Sequence, residues 1–143
     1  RISPVDDALQ ALLRAKTIAV VGLDNRQFRP AYRIARYLQQ AGYRIIPVPF
    51  QEPASEVLGE KAYPSLRDIP VPVDLVDVFV RSEQTGPVID DAIAIGAGAI
   101  WLQAGITNHA GLERARKAGL IATQDRCTMV EHRRQAHAAG RDA

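Results

Sequence analysis

The stretch of sequence that decides the fold is residues 17–30, TIAVVGLDNRQFRP. Its first five residues are apolar or β-branched and do not alternate with polar ones, which indicates a strand covered on both faces, as in a parallel sheet. Gly22 ends this strand. Pro30 suits the first position of a helix, because the N–H that proline lacks has no partner there. The segment therefore predicts a strand, a loop and a helix in immediate succession.

The same succession of strand and helix continues along the chain. We predict strands at residues 44–48, 75–80, 99–102 and 120–123, and helices over residues 30–41, from Ser82, from about Asn108 and over residues 128–139. A first helix is predicted to end near Arg14, with Ser3 as its N-cap and Pro4 at its first position. Residues 51–72 are predicted to form an acidic loop with a helical turn at 65–68. The pattern predicts an α/β fold: a single Rossmann-like, doubly wound domain over residues 1–143, with its core at about 16–132. Its mainly parallel five-stranded sheet would carry helices on both faces.

Composition excludes several classes of protein. The 143 residues are 47% hydrophobic, which is too apolar for a disordered chain, and one cysteine rules out an internal disulfide framework. The longest apolar stretch, residues 92–102, is interrupted by glycines and falls short of the ~18 residues of a membrane span. No charged-then-apolar leader opens the sequence. We therefore expect a cytoplasmic domain that does not enter a membrane.

Charge is distributed unevenly along the chain. The formal net charge is +2, but residues 1–49 carry +5, residues 50–95 carry −6 and residues 96–143 carry +3. Between Asp24 and Glu52 there is no acidic residue, although five arginines fall inside: Arg26, Arg29, Arg33, Arg36 and Arg44. This asymmetry indicates an anionic partner for the first third of the chain.

The candidate site follows the first strand, because doubly wound sheets bind ligands beyond the carboxyl ends of their strands. The loop is not the dinucleotide fingerprint, since it has one glycine where that motif needs three. The second strand ends in Pro47-Val48-Pro49-Phe50, without the acid that holds a ribose. Ordinary NAD binding is therefore disfavoured, and a more highly phosphorylated nucleotide is tolerated.

The helix that begins at Pro30 provides the candidate anion site. Its free N–H groups and the positive end of its dipole favour a phosphate. Arg26 and Arg29 stand directly before it, and guanidinium groups donate to phosphate in a bidentate fork. Arg33 lies one turn further on, and we interpret Arg36 as part of a solvated helix face.

Five motifs in matching order resemble the signatures of small stand-alone CoA-binding proteins. They are Gly22, RPAYR at 29–33, VFVR at 78–81, WLQAGI at 101–106 and DRC at 125–127. The fold of that family is similar to the CoA-binding domain of the succinyl-CoA synthetase alpha subunit and of ADP-forming acyl-CoA synthetases. The resemblance runs from about Ile18 to His132. The family usually has Ser where this chain has Ala31, and Asn where it has Pro49.

The resemblance implies that CoA lies across the strand ends. The phosphates would meet the first loop and the helix start, with contacts from Gly22, Leu23, Asn25, Arg26, Arg29, Pro30, Tyr32 and Arg33. Adenine and ribose would lie between two strand ends, Pro47-Val48 and Phe79-Val80-Arg81. The pantetheine arm would lie near Gln103, Gly105 and Ile106.

Cys127, the sole thiol, has two interpretations. It is either a small buried residue near the start of the last helix, or a thiolate stabilised by Arg126 and the helix dipole, able to form a mixed disulfide with CoA. His109, His132 and His137 lack metal-ligand spacing, so we expect no metal site. Asp74 and Asp77 are spaced to face opposite sides of a strand, which disfavours a paired-carboxylate site. Trp101 is predicted to lie in the core.

The predicted function is binding of CoA or an acyl-CoA for carriage, sensing or regulation, without catalytic residues of its own. The synthetases that the fold resembles use a phosphorylated histidine on an additional domain.

Two alternatives stay open: a nucleotide-dependent reductase or transferase that uses Cys127 or Asp125, and a protein-interaction module whose acidic residues 50–95 meet a basic partner. Nucleic acid is disfavoured, because aromatic residues make up 6% of the chain and do not interleave with the arginines. A homo-oligomer or a protein partner is left open.

Overall fold

Five parallel strands form the central sheet of the computed structural model, which describes residues 5–142 and side chains up to residue 138. The sheet strands are β1 (Thr17–Val21), β2 (Arg44–Val48), β5 (Leu75–Val78), β6 (Ala99–Leu102) and β7 (Ile121–Thr123), and a separate hairpin pairs β3 (Glu56–Val57) with β4 (Glu60–Lys61). The helices are α1 (Asp7–Arg14), α2 (Pro30–Gln40), α3 (Thr85–Ala94), α4 (His109–Lys117) and α5 (Thr128–Asp142). Short 3₁₀ turns occupy Leu66–Asp68 and Ser82–Gln84. The predicted α/β fold is confirmed.

The strand order places a crevice at the carboxyl end of β1. The order is β2-β1-β5-β6-β7, with every neighbouring pair parallel. Because β2 lies on one side of β1 and β5 lies on the other, the direction of winding reverses at β1. Val21 is level with Val48 of β2 and Val78 of β5, so the three strands end together.

Two apolar layers cover the sheet. Buried side chains of α1 and α2 pack on one face together with residues at the start of α5, and buried side chains of α3 and α4 pack on the other face. Trp101 is 1% exposed on the first face, and its indole Nε1 donates to the Arg126 carbonyl at 2.8 Å. The prediction that Trp101 lies in the core is confirmed. Among the described residues, no helix has both the length and the apolar character needed to cross a membrane.

The start of α1 differs from the sequence prediction. Ser3 and Pro4 lie outside the described residues, and the cap of α1 is Asp6, whose carboxylate accepts the Leu9 N–H at 2.9 Å. The helix begins later than predicted because a carboxylate caps a free N–H group as well as a hydroxyl does. Leu12 of this helix is buried, whereas the neighbouring Leu13 is exposed.

Two other local predictions were wrong. The helix predicted from Ser82 begins later, at Thr85, because Ser82 lies in the 3₁₀ turn before α3, where its carbonyl accepts the Thr85 hydroxyl. Within the predicted loop 51–72, Leu58 and Gly59 both take a positive φ and close the hairpin of β3 and β4, as a type I′ hairpin turn requires. Just beyond this hairpin, Tyr63 N–H donates to the Pro47 carbonyl, so this segment covers part of the outer edge of β2.

Candidate ligand-binding site

The loops after β1 and β5 approach each other closely at the reversal of strand order. Gly22 has a φ of +97°, and a Cβ placed on it would lie 3.2 Å from Phe79 Cβ and 3.3 Å from the Phe79 carbonyl oxygen. A side chain at Gly22 would therefore strain its own backbone and push the two loops apart. Glycine is required here so that backbone can form the floor of the site.

An arginine-lined pocket lies over this floor, and we call it the arginine pocket. Its cations come from two loops: Arg26 and Arg29 follow β1, and Arg81 follows β5. The other lining residues are Gly22, Phe50, Gln51, Phe79, Val80 and Gln84. The fold thus brings together cations that are more than fifty residues apart in the chain.

Arg26 is already paired. Its guanidinium donates to both carboxylate oxygens of Asp24, at 3.0 and 2.7 Å, and its backbone N–H donates to the same carboxylate. Burial on its own raises the pKa of the Asp24 carboxyl, but these hydrogen bonds from Arg26 outweigh it and hold the pKa below its ordinary value. Asp24 therefore stays ionised and orients Arg26 at the rim of the pocket.

Arg29 differs from Arg26, because it makes no ion pair with any described residue. It is the N-cap residue of α2, and no side chain caps that helix. The Ala31 N–H likewise donates to no described protein group. A guanidinium without an ion pair and a helix N–H without a partner therefore belong to residues two positions apart at the start of α2, and both groups favour an anion.

A second, apolar part of the same depression extends from Arg29 towards Cys127, and we call it the apolar cleft. It has a cavity volume of about 310 Å³. It shares Gly22, Arg29 and Phe79 with the arginine pocket. Its remaining lining residues are Pro30, Ala31, Ile34, Gln103, Ala104, Ile106 and Cys127. The volume lies within the usual range for small-molecule sites.

Gln103 brings a buried polar network to the wall of the apolar cleft. Its Nε2 donates to Asp77 Oδ1 at 2.7 Å and to Thr128 Oγ1 at 2.8 Å, and the Thr128 hydroxyl donates to Asp77 Oδ2 at 2.9 Å. All three side chains are at least 96% buried. Burial raises the pKa of the Asp77 carboxyl to about 7, although the hydrogen bonds from Gln103 and Thr128 oppose the rise. The network fixes the orientation of the Gln103 amide.

The DRC segment at residues 125–127 holds the site together. Asp125 takes a positive φ, and its carboxylate accepts the Gly105 N–H at 2.7 Å, which ties the loop after β7 to the loop after β6. The Arg126 guanidinium donates to Asp6 and Glu131 and lies 4.8 Å above the Trp101 ring. In the described structure Arg126 is therefore bound to structural partners, and no hydrogen bond joins it to the Cys127 thiol. The interpretation of a thiolate supported by Arg126 stays a prediction.

The structure brings most of the predicted site residues into one depression. Those that line the arginine pocket or the apolar cleft are Gly22, Arg26, Arg29, Pro30, Phe79, Val80, Arg81, Gln103, Ile106 and Cys127. Val48 lines a neighbouring apolar pocket of about 140 Å³, which Phe50 also lines.

Six predicted residues lie outside these pockets. The side chains of Leu23 and Pro47 are buried, and Asn25 donates to the Glu56 carbonyl at 2.9 Å. Tyr32 packs against the core beneath Arg36, Arg33 is exposed on α2, and the Gly105 N–H is bound by Asp125. Of these, Leu23 could meet a ligand only through its backbone.

Sequence reasoning missed Phe50, Gln51 and Gln84 in the arginine pocket and Ile34 in the apolar cleft. Phe50 carried a signal, since an exposed aromatic follows the carboxyl end of β2. Gln84 had no such signal, because its position depends on a 3₁₀ turn that the sequence does not predict. Within the described residues, no group of three or more His, Cys, Asp or Glu side chains could hold a metal ion.

Comparison with known proteins gives a consistent result. A family model described as a CoA binding domain matches residues 16–133. YneT, an uncharacterized protein of Bacillus subtilis (strain 168), is 38% identical over 123 residues, which are 86% of this chain and 90% of that protein. A solved structure of a hypothetical protein from Pyrococcus horikoshii OT3 is 39% identical with a TM-score of 0.83, and the match covers 90% of this chain and 89% of that one.

A larger enzyme is also similar over part of its length. ADP-forming acetate–CoA ligase II of Archaeoglobus fulgidus is 29% identical over 117 residues, which are 80% of this chain but 17% of the ligase. The match to the family model covers most of the chain, including every strand of the central sheet and the whole of the depression described above. The chain belongs to the CoA binding domain family.

Proposed function

We propose that this protein binds CoA or an acyl-CoA and acts as a carrier, sensor or regulator without catalysing a reaction itself. The observation that carries the proposal is the joining of two chemically different sites in one depression. The arginine pocket suits an anion, the apolar cleft suits an extended neutral arm, and Gly22, Arg29 and Phe79 belong to both.

The arginine pocket supports the phosphate part of the proposal. Arg29, which lines this pocket, and the Ala31 N–H of the adjoining apolar cleft have no described protein partner. A phosphate beside Arg29 would therefore gain hydrogen bonds without displacing any. Arg81 makes one ion pair, a 3.5 Å contact with Glu83 in which both side chains are largely exposed. Such a contact contributes little and exchanges easily for a phosphate.

The neighbouring apolar pocket of about 140 Å³ supports adenine binding beside the arginine pocket. Val48, Pro49 and Phe50 line it together with Leu66 and Val88, which belong to the same core cluster as Val48. A base needs apolar and aromatic surface for its faces, and Phe50 lines both this pocket and the arginine pocket.

The composition of the site supports a role without catalysis. Neither the arginine pocket nor the apolar cleft is lined by an aspartate, a glutamate, a histidine or a lysine. General acid–base catalysis needs a titratable side chain within hydrogen-bond reach of the reacting atoms, and the lining of the apolar cleft offers Cys127, which we assign to ligand contact instead. Asp77 and Thr128 lie behind Gln103 and are fully buried.

Calorimetric titration with CoA, NAD and NADP tests the proposal. We expect CoA to bind with a Kd in the micromolar range, tighter than either nicotinamide nucleotide by at least about tenfold (about 1.4 kcal/mol). The proposal is wrong if CoA fails to bind at millimolar concentration while NAD or NADP does. Such a result would favour the alternative of a nucleotide-dependent enzyme.

A further inference from the structure

We propose that Cys127 takes up CoA as a mixed disulfide, by thiol–disulfide exchange with CoA disulfide. This inference rests on the proposed function and adds a covalent step to it. Cys127 is a free, half-buried cysteine that lines the apolar cleft, the same cleft that begins at Arg29. It directly precedes α5, and its carbonyl accepts the Glu131 N–H of the first helical turn at 3.0 Å.

The Gln103 amide is an independent observation that favours a ligand site beside this thiol. Both hydrogens of Nε2 are used, one by Asp77 and one by Thr128, and Oε1 has no partner in the described structure. No fully buried side-chain nitrogen or oxygen of the described residues lacks a partner. Because Gln103 is only 4% exposed and lines the apolar cleft, its Oε1 must reach the cleft surface there.

In the structure Nε2 of Gln103 faces Asp77 and Thr128, and an ionised Asp77 favours this orientation over the flipped one. A flipped amide would point its oxygen at Asp77 Oδ1, which is an acceptor when the carboxylate is ionised, and would lose both hydrogen bonds of Nε2. The cleft therefore presents one fixed acceptor among apolar walls. A ligand that supplies an N–H at that point satisfies the oxygen, whereas a hydrocarbon would leave it buried and unpaired.

CoA matches the order of groups along the depression. It carries phosphates at one end, an arm with amide N–H groups in the middle and a thiol at the other end. The depression carries free cationic groups at Arg29, an amide acceptor at Gln103 and a thiol at Cys127. The match places the two sulfur atoms at the same end of the apolar cleft.

The reaction is an exchange with no net oxidation. The Cys127 thiolate attacks one sulfur of CoA disulfide, a new S–S bond forms between Cys127 Sγ and that CoA, and the original S–S bond breaks. The second CoA leaves as a thiolate and takes up the proton that Cys127 released. Reduced thiols reverse the step by the same chemistry.

Comparison of CoA disulfide with pantethine, the disulfide of pantetheine, tests the inference. The two probes share the same reacting sulfur and the same arm, but only CoA disulfide carries the nucleotide. Intact-mass spectrometry follows the adduct, which adds the mass of CoA or pantetheine less two hydrogens. Since Cys127 is the sole thiol of the chain, the adduct needs no further assignment.

We expect CoA disulfide to react at least about tenfold faster than pantethine at equal concentration. Arg29→Glu should remove that difference, and Arg44→Glu, which changes an exposed arginine at the start of β2, should retain it. Equal rates for the two disulfides in the unaltered protein, no adduct with either, or an unchanged preference in Arg29→Glu would each overturn the inference.

Titration of the same protein with reduced CoA separates this inference from the function on which it rests. If reduced CoA binds and the preference for CoA disulfide is absent, the covalent step is wrong and the proposed function stands. If reduced CoA does not bind, both are wrong.

Discussion

The two edges of the central sheet carry grooves of comparable size. At the amino edge, a groove of about 460 Å³ runs between α1 and the first residues of the strands, lined among others by Arg14, Asp74 and Gly98. At the carboxyl edge, the apolar cleft measures about 310 Å³. Both grooves contain charged side chains, and the larger one lies at the edge where doubly wound folds do not bind ligands.

The two edges differ in how their polar groups are satisfied. At the amino edge, the Asp74 carboxylate accepts the Lys16 and Thr17 N–H groups, both at 2.9 Å. At the carboxyl edge, the Arg29 guanidinium, the Ala31 N–H and Gln103 Oε1 have no partner among the described residues. The amino-edge groove also contains polar side chains without a described partner, Arg14 and Gln10, but these are exposed. The unused helix N–H of Ala31 and the unused oxygen of the nearly buried Gln103, rather than cavity volume, therefore distinguish the candidate site.

The largest expected difference between the two edges is in the pH dependence of the unfolding free energy, and it arises from Asp77, beneath the carboxyl edge. Its folded pKa of about 7 lies above its unfolded value, so its contribution to stability is present below about pH 4 and is lost as the pH rises to 7. The difference corresponds to about 4 kcal/mol of unfolding free energy at most. Asp77→Asn mimics the neutral acid and should remove this loss, measured by urea unfolding at pH 4, 5.5 and 7.5.

Asp74→Asn at the amino edge is the matched control for Asp77. It should keep the pH dependence of the unaltered protein, because Asp77 is still present. Parallel pH profiles for Asp77→Asn and the unaltered protein would show that burial does not perturb Asp77 as we describe.

The next effect is expected from reversing one charge at each edge. Arg29→Glu should weaken CoA binding by at least about 100-fold, or about 2.7 kcal/mol, because a carboxylate replaces the free guanidinium of the arginine pocket. Arg44→Glu, in the same acid-free stretch but at the amino end of β2, should change the Kd by less than about twofold, since the solvent screens it from the ligand. Calorimetry measures both, and equal losses in the two variants would contradict a localised site.

A smaller effect is expected from adding a methyl group at one glycine of each edge. Gly22→Ala adds a methyl group at a φ of +97° beside Phe79, and Gly98→Ala places one 2.8 Å from the Asp74 carbonyl oxygen. Each should lower the unfolding free energy by about 2 kcal/mol. Only Gly22→Ala should also weaken CoA binding. A loss of affinity in Gly98→Ala, at conditions where that variant is folded, would mean that stability and not position controls binding.

Much of the fold could be predicted because it rests on local patterns. The apolar runs of β1, β2 and β6 and the cap of α4 at Asn108 follow from strand composition and capping chemistry. The hairpin of β3 and β4 could not be predicted, since Leu58 rarely takes a positive φ and the turn depends on contacts such as that of Gln39 with the Leu58 carbonyl.

The candidate site likewise contains residues that could be predicted from local sequence and contacts that could not. Arg29 and Gly22 were predictable because a single loop carries them. The partnership of Asp77, Gln103 and Thr128 was not, because it joins three elements and depends on register between strands, and we considered Asp77 only as a partner for Asp74. The ion pair between Arg26 and Asp24 could not be predicted either, because it depends on the geometry of a turn that the sequence of these residues does not specify.

The most direct test of the central claim is an amide chemical-shift titration of the labelled protein with CoA. We expect saturable shifts at the carboxyl edge, at Gly22, Ala31, Phe79 and Gln103, and none at the amino edge, at Lys16, Thr17 and Gly98. Shifts centred on the amino edge, or no saturable shift at either edge, would contradict the account.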